Sequence, residues 1–153
     1  MVSPQRIDAA QFRRQGFRFF TESPTRWGDC DAFGHVNNVL FSRYYESGRL
    51  DYFRRVLGLE SVAAATDSLI IADLYITFLG QVHHPAALEV GSRISRLGNS
   101  SFDFEAAIFL PGEESPCSTA QATCVWFNFR DNHSLPIPFA QRAAIQQFEG
   151  IEP

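Results

Sequence analysis

Polar side chains that could take part in acyl transfer are concentrated in one short segment of this sequence. They are Asp29, Asp31, His35, Asn37 and Asn38. A carboxylate can attack an acyl carbonyl directly or activate a water molecule as a general base. If a helix begins directly after the segment, its unpaired backbone N–H groups can bind the carbonyl oxygen as negative charge develops on it. The segment is therefore the first candidate for a reactive site.

Each of these residues also has an ordinary structural role. Aspartate favours turns, asparagine favours turns and helix N-caps, and a histidine beside them can simply be packed. The residue types alone leave the catalytic and the structural interpretation both open.

A long helix is predicted immediately after the segment. Apolar side chains recur there at helical spacing, at positions 41, 45, 52, 53, 56 and 57. Asn37 or Asn38 is a suitable N-cap, and Gly58 is a suitable C′ residue. This is the one long helix that the sequence predicts, and its start follows closely on Asp31.

The other regular elements are predicted to be mostly strands. A strand from Phe17 toward Trp27 contains Pro24, which indicates an edge or bulged strand because proline cannot donate to a ladder. Alternating apolar patterns predict four more strands, at about residues 69–79, 88–94, 102–110 and 117–129.

The length and the order of the elements predict the architecture. A chain of 153 residues fits one domain, here residues 1–153. Residues 1–14 are expected to be a polar lead-in, and residues from about 139 to 148 a short terminal helix. One strand, one long helix and four strands at hairpin spacing predict an α+β fold. Its five-stranded antiparallel sheet would wrap around one long central helix.

Charge and apolar patterning argue against several classes of partner. The formal net charge of −4 provides no basic field for nucleic acid or an anionic membrane. No apolar run reaches the roughly 18 residues of a membrane span, and no signal-peptide pattern opens the sequence. The three cysteines are odd in number and not closely spaced, which argues against a disulfide framework. We therefore expect a cytoplasmic protein without a nucleic-acid or membrane partner.

Four segments carry a resemblance to a known family. The stretch RWGDCDAFGHVNN from Arg26 to Asn38, with YYESGR from Tyr44 to Arg49, resembles the signature of the 4-hydroxybenzoyl-CoA thioesterase-like family of hotdog proteins. It is most similar to acyl-CoA thioesterases that carry a Gly-His-Val-Asn-Asn element. RLGNSSF at residues 96–102 and LPIP at residues 135–138 are similar to further parts of that family. The resemblance implies a hotdog fold, hydrolysis of an acyl-CoA thioester, and no metal or redox cofactor.

The resemblance also implies roles for individual residues. Asp31 matches the catalytic aspartate, as a nucleophile or general base. Asn38 matches the residue whose backbone N–H polarises the thioester carbonyl. His35, Asn37 and Gly34 match supporting positions of the motif.

Glu46 is a rival carboxylate, because it lies in the predicted helix and another hotdog branch uses a helical glutamate. The structural alternative is an ion pair with Arg43 or Arg49 at helical spacing, and we favour it. Plant acyl-acyl carrier protein thioesterases have a related run, with an asparagine two residues after the aspartate. That position is Phe33 here, which argues against an asparagine-assisted mechanism.

Residues elsewhere are expected to contact the substrate. Ser100 and Ser101 match the hairpin that approaches the pantetheine arm, and Arg96 is a candidate for a phosphate contact. Phe33 and Tyr45 either line an acyl pocket or belong to the core.

The pair His83 and His84 does not predict a metal site. A usable zinc site needs three or four convergent ligands, and no cysteine or histidine partner stands at ligand spacing.

Three functions stay open at this point. The first is acyl-CoA hydrolysis. The second is a hotdog hydratase acting on enoyl- or hydroxyacyl-thioesters, although its Asn-Pro pair is missing after Asp31. The third is a non-catalytic acyl-CoA-binding module. For all three, strand 69–79 is a natural edge for pairing with a second copy, so we expect a homodimer or a homotetramer with the site between subunits.

Overall fold

The computed structural model describes residues 8–60 and 65–152. Within them the strands are β1 (Phe19–Pro24), β2 (Asp67–Phe78), β3 (Ala87–Leu97), β4 (Ser101–Phe109), β5 (Ser118–Asn128) and β6 (His133–Ser134). The α-helices are α1 (Asn38–Arg55) and α2 (Phe139–Glu149). Residues 1–7 of the predicted lead-in lie outside the described residues. No helix among the described residues is long and apolar enough to cross a membrane.

The strands form one antiparallel sheet in the order β1-β3-β4-β5-β2. The inner face of the sheet packs on α1 to form the main hydrophobic core. This confirms the predicted hotdog arrangement. The two-residue strand β6 pairs with β5 and is additional to the five predicted strands.

Both predicted edge strands lie at the edges of the sheet. β1 ends at Pro24 and pairs only with β3. On its outer side no described strand is paired with it, so the missing N–H of the proline interrupts no hydrogen bonds there. β2 is the opposite edge and pairs only with β5. Among the described residues, the outer side of β2 therefore has no neighbouring strand.

The long helix begins as predicted. The Asn37 side chain accepts a hydrogen bond from the Val39 N–H, so Asn37 is the N-cap. The helix ends at Arg55 with Val56 as its C-cap, so the C′ residue is Leu57, and Gly58, which was predicted as C′, lies one position further on. Gly58 has a φ of 69°, and the next residue, Leu59, donates its N–H to the Phe53 carbonyl. The glycine thus still turns the chain away from the helix axis.

The chain before β1 is not simply a polar lead-in. Short 3-10 turns at Ala9–Gln11 and Arg14–Gly16 bring Phe12 and Phe17 onto the outer face of the sheet. Phe12 is 1% exposed, and a second hydrophobic cluster forms there with Ala107 and Phe109. The outer face of the sheet needs this cover because its central strand β4 is apolar on both sides near its end.

The terminal helix α2 packs on the core through Ile145 and Phe148, and the Glu149 carboxylate at its end adds hydrogen bonds to α1 and β3. Glu149 accepts hydrogen bonds from the Tyr52 hydroxyl at 2.5 Å and from the Ile94 N–H at 2.9 Å. Pairing of β3 with β4 shifts register between Ile94 and Arg96, and Glu149 satisfies the Ile94 N–H at this irregularity.

Candidate active site

The candidate catalytic aspartate opens a tight turn between β1 and α1, which we call the Asp31 turn (Asp31–His35). The Asp31 N–H donates to the His35 carbonyl at 2.9 Å, and the Gly34 N–H donates back to the Asp31 carbonyl at 3.1 Å. Gly34 has a φ of 81°, a conformation that residues with a side chain rarely adopt. The glycine is therefore required by the backbone of the turn.

The Asp31 carboxylate is half-buried and only partly engaged. Its Oδ1 accepts the N–H of Phe33 at 2.9 Å. Its Oδ2 makes no hydrogen bond with any residue that the structure describes. One oxygen thus fixes the side chain in the turn, and the other is free to act on a substrate or a water.

The start of α1 has an unpaired donor close by in sequence. Leu40 donates its N–H to the Asn37 carbonyl, and Val39 donates to the Asn37 side chain. The Asn38 N–H has no acceptor among residues 8–60 and 65–152, and Asn38 is exposed. This is the kind of donor that can bind a developing oxyanion at a helix N-terminus.

Asp29 has a different role from Asp31. It is buried, and its Oδ2 accepts the Tyr44 hydroxyl at 2.6 Å and the Arg26 N–H at 2.9 Å. Burial acts to raise the pKa of the Asp29 carboxyl, but the hydrogen bonds from Tyr44 and Arg26 and the nearby arginine charges outweigh it and hold the pKa below the usual value. The Asp29 carbonyl also accepts the Asn37 N–H at 2.8 Å. Asp29 therefore connects the reactive segment to α1.

A distant loop, residues 79–86, holds the Asp31 turn from the other side. Val36 donates its N–H to the Val82 carbonyl at 2.8 Å. His83 Nδ1 lies 3.2 Å from the Gly34 carbonyl oxygen, and the rings of His83 and His35 meet edge to face at 5.0 Å between centroids. The sequence analysis assigned no part in the site to His83. Nothing in the local spacing could reveal it, since the two histidines are 48 positions apart.

The neighbouring His84 faces another part of the molecule. Its Nδ1 lies 2.9 Å from the Thr25 hydroxyl, which also interacts with the backbone of Ala86. No group of three or more histidine, cysteine or acidic side chains suitable for a metal occurs among the described residues.

An open groove of about 460 Å³ runs along α1 from its first turn. It is lined by Val39, Leu40, Ser42, Arg43, Glu46, Arg49, Ile71 and Leu74. The groove lies between the helix and the edge strand β2, and it has both apolar and charged walls.

The described part of the structure does not contain the ion pair that we favoured for Glu46 from the sequence. No described residue forms an ion pair with it, so the predicted pairing with Arg43 or Arg49 is wrong. Exposed pairs at helical spacing contribute only about 0.3–0.5 kcal/mol, so the absence of this pair costs the helix little stability. Glu46 is therefore an exposed carboxylate in the wall of the groove.

The two aromatic candidates lie in contrasting places. Tyr45 is 2% exposed, and its hydroxyl donates to Ser118 Oγ at 2.8 Å, so its side chain belongs to the core. Phe33 is 84% exposed at the tip of the Asp31 turn. A contact of either ring with a substrate stays a prediction.

The hairpin candidates lie far from Asp31 within one chain. The Asp31 turn is beside the loop that leads into β3, whereas Ser100 and Ser101 follow the end of that strand. Eleven residues of β3 span about 33 Å at the usual rise of a strand. Arg96 is paired through two 2.7 Å hydrogen bonds with Asp103. One chain does not bring the hairpin and the turn together.

Comparison with known proteins adds a family and several structural relatives. Residues 25–145 match the model of the thioesterase-like superfamily. The chain is 29% identical to the chloroplastic acyl-acyl carrier protein thioesterase ATL2 of Arabidopsis thaliana, over 79% of this chain and 64% of that protein. The chain thus spans less than two thirds of the length of this plant relative.

Two solved structures resemble the fold closely. The PA5185 protein of Pseudomonas aeruginosa PAO1 superposes with a TM-score of 0.82 at 29% identity, covering 88% of this chain and 94% of that chain. A thioesterase from Thermus thermophilus, crystallised with coenzyme A and zinc, superposes with a TM-score of 0.75 at 27% identity, covering 91% of this chain and 99% of that chain.

Proposed function

This chain belongs to the thioesterase-like superfamily, and from that premise we propose that it hydrolyses an acyl-CoA to a carboxylic acid and free CoA. Asp31 acts as the nucleophile or the general base, and the backbone N–H of Asn38 binds the carbonyl oxygen. The observation that carries the proposal is the Asp31 carboxylate, which has one oxygen without a hydrogen bond to the described residues and lies in a turn closed by two backbone hydrogen bonds, followed by an unpaired N–H at the start of α1. Within the superfamily, the motif favours the 4-hydroxybenzoyl-CoA thioesterase-like branch.

The chemistry needs no group beyond these residues and water. As a general base, Asp31 takes a proton from water while the water oxygen attacks the thioester carbon, and the carbonyl oxygen becomes negative beside the Asn38 N–H. Collapse of this intermediate breaks the C–S bond and releases the CoA thiolate, which takes up a proton. As a nucleophile, Asp31 forms a mixed anhydride that water then hydrolyses.

The groove along α1 is our proposed acyl-binding site. Its apolar walls Val39 and Leu40 lie in the first turn of the helix, next to the proposed oxyanion donor Asn38. Ile71 and Leu74 of β2 form the opposite wall. An acyl chain that extends from the carbonyl along the groove would be buried against these walls. Burial contributes about 25 cal/mol of binding free energy per Å² of apolar surface removed from water. Glu46 lies further along the same groove and stays the rival carboxylate.

The remaining substrate contacts are proposed to come from a second copy of the chain. The free edge of β2 can pair with the same strand of a two-fold mate. Antiparallel pairing would bring the hairpin with Arg96, Ser100 and Ser101 of the mate toward the Asp31 turn of the first chain. A homodimer, or a homotetramer built from two such dimers, would then complete each site.

Two carriers of the acyl group fit this chemistry. The CoA complex of the Thermus relative supports CoA. The plant relative acts on acyl groups held by acyl carrier protein, whose pantetheine arm offers the same thioester. An acyl-acyl carrier protein thioesterase is therefore our second candidate, and both carriers belong in the assay.

Thiol release from a panel of short, long and aromatic acyl thioesters tests the proposal. Asp31→Asn keeps an oxygen that can accept the Phe33 N–H, so the turn should persist while kcat falls at least about 100-fold, the lower range for loss of a general base. Asp131→Asn, in an exposed loop, is the matched control and should leave the rate unchanged.

Three results would contradict the proposal. The absence of thiol release with every acyl group on both carriers would leave binding without hydrolysis. Loss of activity in Glu46→Gln but not in Asp31→Asn would move the base to the helix. Hydration of crotonyl-CoA without thiol release would identify a hydratase.

A further inference from the structure

The Asp31 turn depends on a residue from outside its own segment. Its backbone contains two hydrogen bonds of its own, between Asp31 and His35 and between Gly34 and Asp31. Outside these, the Gly34 carbonyl points to the loop at residues 79–86, where the His83 ring meets it. Asp31 and His35 are therefore held by a backbone hydrogen bond within the turn, whereas the Gly34 carbonyl is held by a residue of a distant loop.

The chemistry of this contact defines the protonation of the His83 ring. Nδ1 lies 3.2 Å from the Gly34 carbonyl oxygen, and a carbonyl can only accept a hydrogen bond. A neutral imidazole with a bare Nδ1 would place two lone pairs against each other. Nδ1 must therefore carry the proton, which leaves Nε2 as the bare nitrogen of the neutral ring.

The same ring also contacts a residue of the motif. His83 and His35 meet edge to face at 5.0 Å between ring centroids. The His35 carbonyl accepts the Asp31 N–H, so His83 touches both residues whose backbone bonds fix the Asp31 backbone. The adjacent Val82 carbonyl adds a 2.8 Å bond from Val36.

We propose that His83 is a positioning residue for the Asp31 carboxylate, acting through an Nδ1–H bond to the Gly34 carbonyl and through its ring contact with His35. The role rests on the proposed thioesterase function, because positioning matters only if Asp31 reacts. Gly34 has no side chain to restrain its peptide, and the region of positive φ that it occupies is broad for glycine. Without His83 the Gly34 peptide can rotate, and the Asp31 oxygens move relative to the Asn38 N–H.

Such a residue changes turnover more than binding. A misplacement of about 1 Å can lower a rate by up to 100-fold. We expect His83→Ala to lower kcat about tenfold while KM stays within about twofold of the wild type. A purely structural role would lower the amount of folded enzyme, and the kcat of the enzyme that is folded would be unchanged.

Two matched variants separate the hydrogen bond from the ring contact. His83→Asn keeps a donor near the position of Nδ1 and loses most of the ring, whereas His83→Phe keeps a ring against His35 and loses the donor. If the hydrogen bond dominates, His83→Asn should recover most of the kcat that His83→Ala loses, and His83→Phe should not. His133→Ala, an exposed histidine in β6, is the control and should behave as the wild type.

A measurement without substrate tests the same contact. The ¹⁵N shifts of the His83 ring in the neutral form distinguish the Nδ1–H from the Nε2–H tautomer, and we expect Nδ1–H. The Nε2–H tautomer, or a wild-type kcat in both His83→Ala and His83→Phe, would overturn the proposal. If the wild type releases no thiol from any substrate, the proposed function fails and the catalytic role of His83 fails with it, whereas the tautomer still decides whether the contact exists.

Discussion

The Tyr44 hydroxyl donates a 2.6 Å hydrogen bond to Oδ2 of Asp29, and both side chains are buried. Tyr44 is in the second turn of α1, whereas Asp29 precedes the Asp31 turn. The bond therefore attaches the reactive segment to the helix whose first N–H groups are proposed to bind the substrate. Burial and the Asp29 carboxylate together raise the pKa of Tyr44, so the hydroxyl stays protonated and remains a donor.

Removing this hydroxyl should destabilise the protein. Tyr44→Phe leaves a buried carboxylate with one donor fewer, for which about 1–3 kcal/mol is typical. Urea unfolding at pH 7 measures the change in the free energy of unfolding. An unchanged midpoint of unfolding would show that the Asp29 carboxylate finds another partner.

The same bond should make the free energy of unfolding depend on pH in the acidic range. Because the pKa of folded Asp29 lies below its ordinary value of 3.8, the unfolded chain binds the proton more readily. The stabilisation is present in full above the unfolded pKa and is lost as the pH falls through the folded pKa, that is, below about pH 4. In Tyr44→Phe the free energy of unfolding should fall less as the pH drops below about 4. An equal fall in both proteins would argue against a role of the Tyr44–Asp29 bond in the acid dependence.

Gly34→Ala tests the backbone of the Asp31 turn. A Cβ added at Gly34 meets no atom within 4 Å, so only the φ of 81° opposes the alanine. The strain should lower stability by about 1–2 kcal/mol, and thiol release should fall because the turn relaxes away from its native shape. Gly28→Ala is the matched control, since its Cβ is equally unobstructed and its φ is ordinary. Equal behaviour of the two variants would contradict this account.

Gly48→Ala tests the packing of α1 on the sheet. A Cβ there would lie 2.7 Å from Cγ1 of Val90, which is too close for a real contact. Helix propensity favours alanine by about 1 kcal/mol, whereas overpacking a core costs about 1–3 kcal/mol. We therefore expect a net destabilisation of up to about 2 kcal/mol by thermal unfolding.

A second substitution identifies the cause of the Gly48 effect. Val90→Ala removes the methyl group that the new Cβ meets, so the double variant should be more stable than the sum of the two single changes implies. Additive effects of Gly48→Ala and Val90→Ala would show that the close approach is relieved elsewhere.

The free edge of β2 should be paired in solution. Light scattering at micromolar concentration should give at least twice the mass of the 17.2 kDa chain. Hydrogen exchange should then protect the β2 amides that point away from β5, and dilution should remove this protection. The edge amides of β1 serve as the comparison and should exchange at both concentrations. A stable monomer would remove the second chain from the proposed site.

Several features followed from local patterns. Strand alternation and helical spacing predicted the element order because side-chain period is a property of neighbouring residues. Asn37 was one of two predicted N-caps, and it is the observed one because its side chain accepts a hydrogen bond from the Val39 N–H. The register shifts between Ile71 and Asp73 in β2 and between Ile94 and Arg96 in β3, the short β6 strand and the aromatic cover by Phe12 were missed, since each depends on a partner strand or face that the local sequence does not specify.

The sequence by itself determined that a carboxylate, a turn and a helix start occur together, because these residues are adjacent in the chain. Only the tertiary structure decided which aspartate is engaged, burying Asp29 against Tyr44 and leaving one oxygen of Asp31 free. It also left Glu46 unpaired in the groove and brought His83 to Gly34. The physical reason is that burial and hydrogen-bond partners come from the packing of distant segments, here the loop before β3 and the body of α1.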